Sequence, residues 1–230
     1  MHKTGRTAAR CLLAMSALLC GCMSLGGERD ERDERYEVVY EQACAEASCA
    51  DDFVFSDPET WRMHPYPQGP ALELRGESAY RPPHRSPLSI ALIEGVEVRD
   101  FNLEVDLLQT GRNYGHRDLC LFFGFQSPSR FYYTHLATSP DANAHNIFLV
   151  KEAPRSNLAP PVSKGIEWGR DAWHHVRIER RVDAGTIKVF WNDDEAPVLT
   201  ATDTTIDWGR VGFGSFDDSG LVKNVVLRAP

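Results

Sequence analysis

The sequence predicts an all-β protein, a two-sheet antiparallel sandwich, on three observations. Apolar and polar residues alternate with period two over seven or more short segments, and the breaks between them are rich in Gly, Pro, Asn and Asp. No segment keeps helical periodicity for three turns. Taken in order, the alternation runs through Ala71–Arg75, Phe101–Leu107, Arg117–Phe125, Trp173–Arg181, Thr186–Trp191, Arg210–Phe216 and Leu221–Arg228. The turns agree: Asp183-Ala184-Gly185 joins two of these segments and Asp217-Asp218-Ser219-Gly220 joins the last two. In the third segment Leu119, Leu121, Phe123 and Phe125 share one parity, which predicts the core face. His116 and Asp118 take the other parity and are expected to point to an open face.

Composition narrows the function. The 230 residues carry 25 Lys plus Arg against 33 Asp plus Glu, a formal charge of -8. That acidity argues against nucleic-acid binding, because a phosphate backbone rewards clustered cations. No apolar run reaches the ~20 residues of a membrane-spanning helix. There is no phosphate-cradling glycine loop, no Gly-x-Ser-x-Gly elbow, no His-Glu-x-x-His and no Cys-x-x-Cys. Nucleotide enzymes, serine hydrolases and zinc proteins therefore lack support.

The N-terminus reads as an export signal over residues 1–21. Lys3, Arg6 and Arg10 precede the apolar stretch Cys11 to Cys20, which has the length of a signal-peptide core. Its end, Leu19-Cys20-Gly21-Cys22, resembles a bacterial lipobox. The resemblance implies cleavage before Cys22, lipidation of its thiol and a membrane anchor; an ordinary cleaved signal peptide is the alternative. With Met23 rather than Asp after Cys22, the chain resembles lipoproteins sent on to the outer membrane, so a cell-envelope location, the outer membrane, is expected. Residues 22–50 read as a tether, since Glu28 to Arg35 alternates charge with nothing apolar to bury. Cys44 and Cys49 form a close pair in an oxidising compartment and are expected to be disulfide-bonded. Cys120, alone inside an apolar strand, is expected to be a small buried hydrophobe. Residues 51–230 are assigned to the sandwich.

Within that span, Trp173-His174-His175-Val176-Arg177-Ile178 followed by Gly185-Thr186-Ile187-Lys188-Val189-Phe190-Trp191-Asn192 resembles the signature hairpin of concanavalin A-like jelly rolls. Gly209 to Phe216, Lys223 to Leu227, and Asp51-Asp52-Phe53 with Trp61 resemble the closing and opening strands of the same family. Among its members the chain is most similar to laminin-G-like and 3-keto-disaccharide hydrolase relatives. The resemblance implies two curved sheets, with carbohydrate bound or cleaved on the concave one or proteins held by the rim loops.

Three constellations are candidates for chemistry. Glu104-Val105-Asp106-Leu107-Leu108-Gln109 resembles the catalytic strand of family 16 glycoside hydrolases, but Gln109 stands where that family has its acid/base carboxylate. An amide cannot donate and recover the proton that retaining hydrolysis needs, so the pair Glu104 and Asp106 reads as a solvated strand face. The polar and aromatic stretch 114–146 is more promising. His116, Asp118, Arg130, Tyr133, His135, His145 and Asn146 are expected to line a carbohydrate site. Rings cover the apolar side of a sugar, and His, Asp, Arg and Asn satisfy its hydroxyls. Third, acidic residues near the first and last strands, chiefly Asp52 and Asp217, offer oxygen ligands for a structural Ca²⁺; plain acidic turns are the alternative. The sequence therefore points to an exported, lipid-anchored carbohydrate-binding jelly roll. A glycoside-cleaving enzyme of the 3-keto-disaccharide hydrolase type and an envelope protein-interaction module are the alternatives.

Overall fold

The computed structural model of the chain describes residues 35–66 and 69–230. The export signal, the lipidation at Cys22 and most of the charged run lie outside the described residues, so their reading stays an expectation. No helix among the described residues is long and apolar enough to cross a membrane.

Fifteen strands are present among the described residues: β1 (Glu37–Gln42), β2 (Phe53–Phe55), β3 (Trp61–Tyr66), β4 (Gly69–Leu74), β5 (Ser89–Ile93), β6 (Phe101–Gln109), β7 (Asp118–Ser127), β8 (Arg130–Ala137), β9 (Asn146–Lys151), β10 (Ser156–Asn157), β11 (His174–Arg181), β12 (Thr186–Trp191), β13 (Leu199–Thr202), β14 (Arg210–Ser215) and β15 (Gly220–Ala229). They form two antiparallel sheets. The first is eight-stranded, ordered β13-β12-β11-β6-β15-β4-β3 with β1 also on β15, and the second is seven-stranded, ordered β10-β9-β8-β7-β14-β5-β2. Every alternating segment of the sequence forms a strand, because period-two side chains bury one face only in an extended chain.

The core lies between the sheets. Leu103, Val105, Val176, Ile178 and Leu227 of the eight-stranded sheet meet Leu119, Leu121, Phe123, Tyr132 and Ile147 of the other. Trp168 closes one flank, donating from Nε1 to the Leu136 carbonyl at 3.1 Å and meeting Trp191 edge-on at 4.9 Å. His174 belongs to this packing, stacked on Trp191 at 4.4 Å with Nε2 3.0 Å from the Trp168 carbonyl.

Two expectations are corrected. The sandwich begins at Glu37, not at Asp51, because β1 pairs antiparallel with β15. The segment from β1 to β2 is fixed rather than a loose tether. Cys44 and Cys49 are disulfide-bonded, and Tyr40 Oη and Gln42 Nε2 donate to Asp52 Oδ2 at 3.1 and 2.7 Å. The second correction concerns Phe125, which leaves the parity of Leu119, Leu121 and Phe123. A bulge between Phe123 and Ser127 inserts Gly124 at φ +56°, and Phe125 turns to the opposite face, onto Phe131.

That bulge yields a prediction. A Cβ on Gly124 would meet Ile206 and Tyr132 at 3.1–3.2 Å and hold a left-handed φ that Ala dislikes. Gly124→Ala should therefore cost about 1–2 kcal/mol in urea unfolding, read as a lower midpoint at unchanged slope. An unchanged midpoint would contradict the bulge.

Candidate functional site

The seven-stranded sheet is apolar on its outer face as well. Cys120, Phe122, Phe131, Tyr133, Phe148 and Val150 form a second buried cluster there, on which Tyr80 and Phe216 pack. The connection 75–88 runs along this face. Asp57 Oδ2 anchors it, accepting from the Ala79 amide and the Ser78 hydroxyl. Between this connection and the ends of β7, β8 and β14 lies a cleft of about 530 Å³.

Register decides which residues meet in it. Cys120 pairs with His135 on one side and with Gly214 on the other, and His135 pairs with Asn146. Asp118, His135 and the segment after β14 thus converge at one end of the sheet. His116, Asp118 and His135 line the cleft as expected. His116 is half exposed and its Nε2 lies 2.8 Å from Asp141 Oδ2.

The other expected residues do not line it. Arg130 sits at the β7–β8 hairpin, five residues along β8 from His135, roughly 16 Å in an extended strand. There it donates to Gln126 and to the Thr205 carbonyl. Tyr133 is fully buried below the cleft, stacked on Phe148 at 5.0 Å, its hydroxyl accepting from Arg155 at 2.6 Å. His145 is buried at φ +52° and its Nδ1 accepts from the Ala137 amide at 3.3 Å. Asn146 clamps the Ala159 backbone in both directions, at 3.0 and 3.2 Å. All three hold the β8–β9 end of the sheet together.

Reasoning from strands alone missed the loops. Arg81, His84 and Arg85 come from the Pro-rich connection 75–88, Arg112 and Tyr114 precede β7, Arg155 follows β9, and Phe216 follows β14. The run Arg81-Pro82-Pro83-His84-Arg85 carried a signal, since prolines with cations mark an exposed, stiff loop.

The electrostatics of the floor are set by burial. Burial, then Arg155, pushes His135 down to about 3. Its Nδ1 accepts from the His145 amide at 3.4 Å, which places the proton of the neutral ring on Nε2, 3.9 Å from Asp118 Oδ2. Asp118 is buried, and desolvation with Asp218 nearby holds its carboxyl well above the ordinary range. It accepts from the Ser215 hydroxyl and the Cys120 thiol, both at 2.9 Å. Asp218 is raised by burial too, and takes the Tyr114 hydroxyl and the Asp118 amide at 2.8 Å.

Asp217 joins Asp118 and Asp218 in a cluster whose oxygens lie within 4.8 Å of one another. These are three of the six to eight oxygen ligands that calcium takes. Asp52 is not among them, being committed to Tyr40 and Gln42 on the other side of β5. The pairing of Asp52 with Asp217 is thereby corrected: β2, after Asp52, pairs with β5 and not with the turn that carries Asp217.

Glu104 and Asp106 lie on the outer face of the other sheet. Asp106 meets His175 Nδ1 at 2.9 Å and Asn224 at 2.7 Å, and Glu104 meets Arg228 at 2.8 Å. They form a solvated polar ladder there. Gln109 turns inward instead, 3% exposed, and neither amide atom has a hydrogen-bond partner in the structure. It borders a second polar hollow of about 410 Å³ that shares Arg112 with the cleft.

No protein-family model matches the chain, and no curated protein matches it. Solved structures do. A carbohydrate-binding module, CBM66 from Bacillus subtilis, aligns at a TM-score of 0.55 and 15% identity over 77% of this chain and 96% of that one. Winged bean acidic lectin complexed with methyl-α-D-galactose aligns at 0.56 and 11% identity over 84% and 98%. Lectin UEA-II complexed with galactose aligns at 0.53 and 12% identity over 83% and 98%. At these identities the likeness is one of fold: the chain is a concanavalin A-like β-sandwich.

The buried histidines make the acid limb of stability testable. His145 is lowered to about 4 by burial, against ~6.5 in the unfolded chain. Between those values the unfolded state binds more protons, so the contribution of His145 is present above pH ~6.5 and lost as pH falls toward 4. His145→Asn suits the left-handed backbone and keeps an acceptor for Ala137. It should fold at pH 7 and, between pH 6.5 and 4, lose less stability than wild type by an amount on the order of 2–3 kcal/mol. Parallel stability-versus-pH curves for the two proteins would contradict this.

Proposed function

We propose that the protein binds carbohydrate in the cleft beside Asp118 and His135. One observation carries the reading: a single cleft combines aromatic side chains, Tyr114 and Phe216, with a floor of hydrogen-bonding groups. Its walls are loops on a rigid sheet. Sugars need both kinds of contact, an apolar surface for ring C–H groups and fixed donors and acceptors for hydroxyls. The printed names of the fold neighbours, a carbohydrate-binding module and lectins in complex with galactose and a galactoside, support it.

The neighbouring carboxyls Asp118 and Asp218, both held above the ordinary range, favour a second reading as a glycoside-cleaving enzyme of the 3-keto-disaccharide hydrolase type. Two coupled carboxyls can divide into a proton donor and a proton acceptor. Turnover separates the readings: an enzyme releases free sugar, a lectin gives only saturable binding.

A glycan-array scan of the full chain, run with calcium and again with EDTA, tests the binding reading. Signal lost in EDTA would make the acidic cluster at Asp217 a cation site. Phe216→Ala should weaken any bound glycan by about tenfold or more, from loss of ring contact and of the support under Arg155. His175→Ala, on the opposite sheet, should leave binding unchanged. A blank array with folded protein would overturn the reading.

The chain further reads as an exported envelope lipoprotein, on the resemblance of Leu19 to Cys22 to a lipobox. Metabolic labelling with a fatty-acid probe should tag the protein, and Cys22→Ala should abolish the tag. Label retained in the variant would refute anchoring at Cys22.

A further inference from the structure

The cleft is cationic in an acidic chain. Four guanidinium groups, Arg81, Arg85, Arg112 and Arg155, reach it from three separate segments, in a protein of formal charge -8. None of the four pairs with a carboxylate among the described residues. Arg81 donates to the carbonyls of Ser78 and Tyr80 at 2.8 and 2.9 Å. Arg112 lies over the Tyr114 ring at 4.7 Å. Arg155 donates to the Tyr133 hydroxyl and to the Asn143 carbonyl and side chain, and stacks over Phe148 and Phe216 at 4.4 and 4.9 Å. Three arginines elsewhere are matched with acids, Arg62 with Glu73, Arg99 with Asp207 and Arg228 with Glu104, while Arg117, Arg130 and Arg180 donate to neutral acceptors; what sets the cleft apart is four such groups lining one space.

The acids near the cleft make no ion-pair contact with these arginines. Asp141 is taken by His116, Asp118 is buried and hydrogen-bonded, and Asp218 is held by Tyr114. Asp217 is the one exposed carboxylate in the lining. Arg155 in particular is held by neutral acceptors and ring faces, which fix its plane without cancelling its charge. Its field reaches His135, where it helps keep the ring neutral.

Arg155 spends donors of both terminal nitrogens on Tyr133 and Asn143 and so contributes mainly its charge, whereas the exposed guanidinium groups of Arg85 and Arg112 can turn parallel N–H donors to a carboxylate or to a sulfate or phosphate ester. Resting on the carbohydrate reading given above, we propose that the ligand of this cleft is an acidic glycan. Its anionic group is held by the rim arginines Arg85 and Arg112 in the positive field of Arg155, and its hydroxyls meet His116 and His135. An extended nucleic acid fits less well, because the chain as a whole is acidic, at a formal charge of -8.

The test uses the full chain and matched probes: hexameric oligogalacturonate against its carboxyl-reduced form, and chondroitin sulfate hexasaccharide against its desulfated form, with an oligothymidylate 16-mer as a polyanion control. Binding is measured by calorimetry at low and high salt. An acidic probe should bind at least tenfold tighter than its neutralised counterpart, and its affinity should fall with salt. Which pair responds tells a carboxylate ligand from a sulfate one. Arg85 and Arg112 are exposed, so Arg85→Gln with Arg112→Gln should fold normally and lose tenfold or more in affinity. The double Arg→Lys variant should retain part of it. Equal binding of acidic and neutralised probes, or binding of neutral array glycans alone, would overturn the acidic specificity and leave the carbohydrate reading standing. Equal binding of the oligothymidylate would overturn it as non-specific polyanion attraction. No binding to any glycan would overturn both.

Discussion

The arrangement of the molecule follows from one constraint: the seven-stranded sheet is apolar on both faces. Its inner face meets the other sheet in the usual way. Its outer face carries Phe122, Phe131, Tyr133 and Phe148, all buried, and an aromatic layer of this size cannot be left to water without losing roughly 2 kcal/mol for each large ring. Tyr80 from the connection 75–88 and Phe216 after β14 pack on it, and Arg155 stacks over its edge. The cleft is the gap these covering groups leave at one end of the sheet. Site and second core are thus one construction, and Arg155 belongs to both.

That construction explains the chemistry of the floor. Groups at the boundary between an apolar layer and the cleft are desolvated, so each titratable one moves toward its neutral form: His135 down, Asp118 and Asp218 up. The arginines that line the cleft add positive charge beside these groups.

Much of the fold was legible in the sequence and less of the site. Alternation is a local signal, and it marked the strands that carry the sandwich, with the hairpin from Trp173 to Asn192 adding the fold type. It fails at Gly124, where one inserted residue reverses the parity of Phe125, and at Glu37–Gln42, where two of the three apolar residues, Val38 and Val39, are exposed and the strand reads as tether. Strand parity turns Asp118 away from the core and the register of β7 on β8 brings it near His135, while His116 lies in the turn before β7. Arg130 was not separable from them by pattern, since distance along a strand matters only once its neighbours are aligned. His145 and Asn146 have the chemistry of ligand-binding residues, yet their polar atoms are spent on the Ala137 and Ala159 backbone.

By itself the sequence determined that the chain is a β-sandwich of the concanavalin A type, that Cys44 and Cys49 pair, and that Asp118 faces away from the core between the sheets. Those properties depend on neighbours within a few residues or on one repeated period. Tertiary structure alone decided that four arginines from distant loops share one cleft, that Asp217 stands with Asp118 and Asp218 rather than with Asp52, and that Tyr133 supports Arg155 from below. Such groupings depend on which strands lie side by side and where long connections cross the sheet, and no local pattern encodes that.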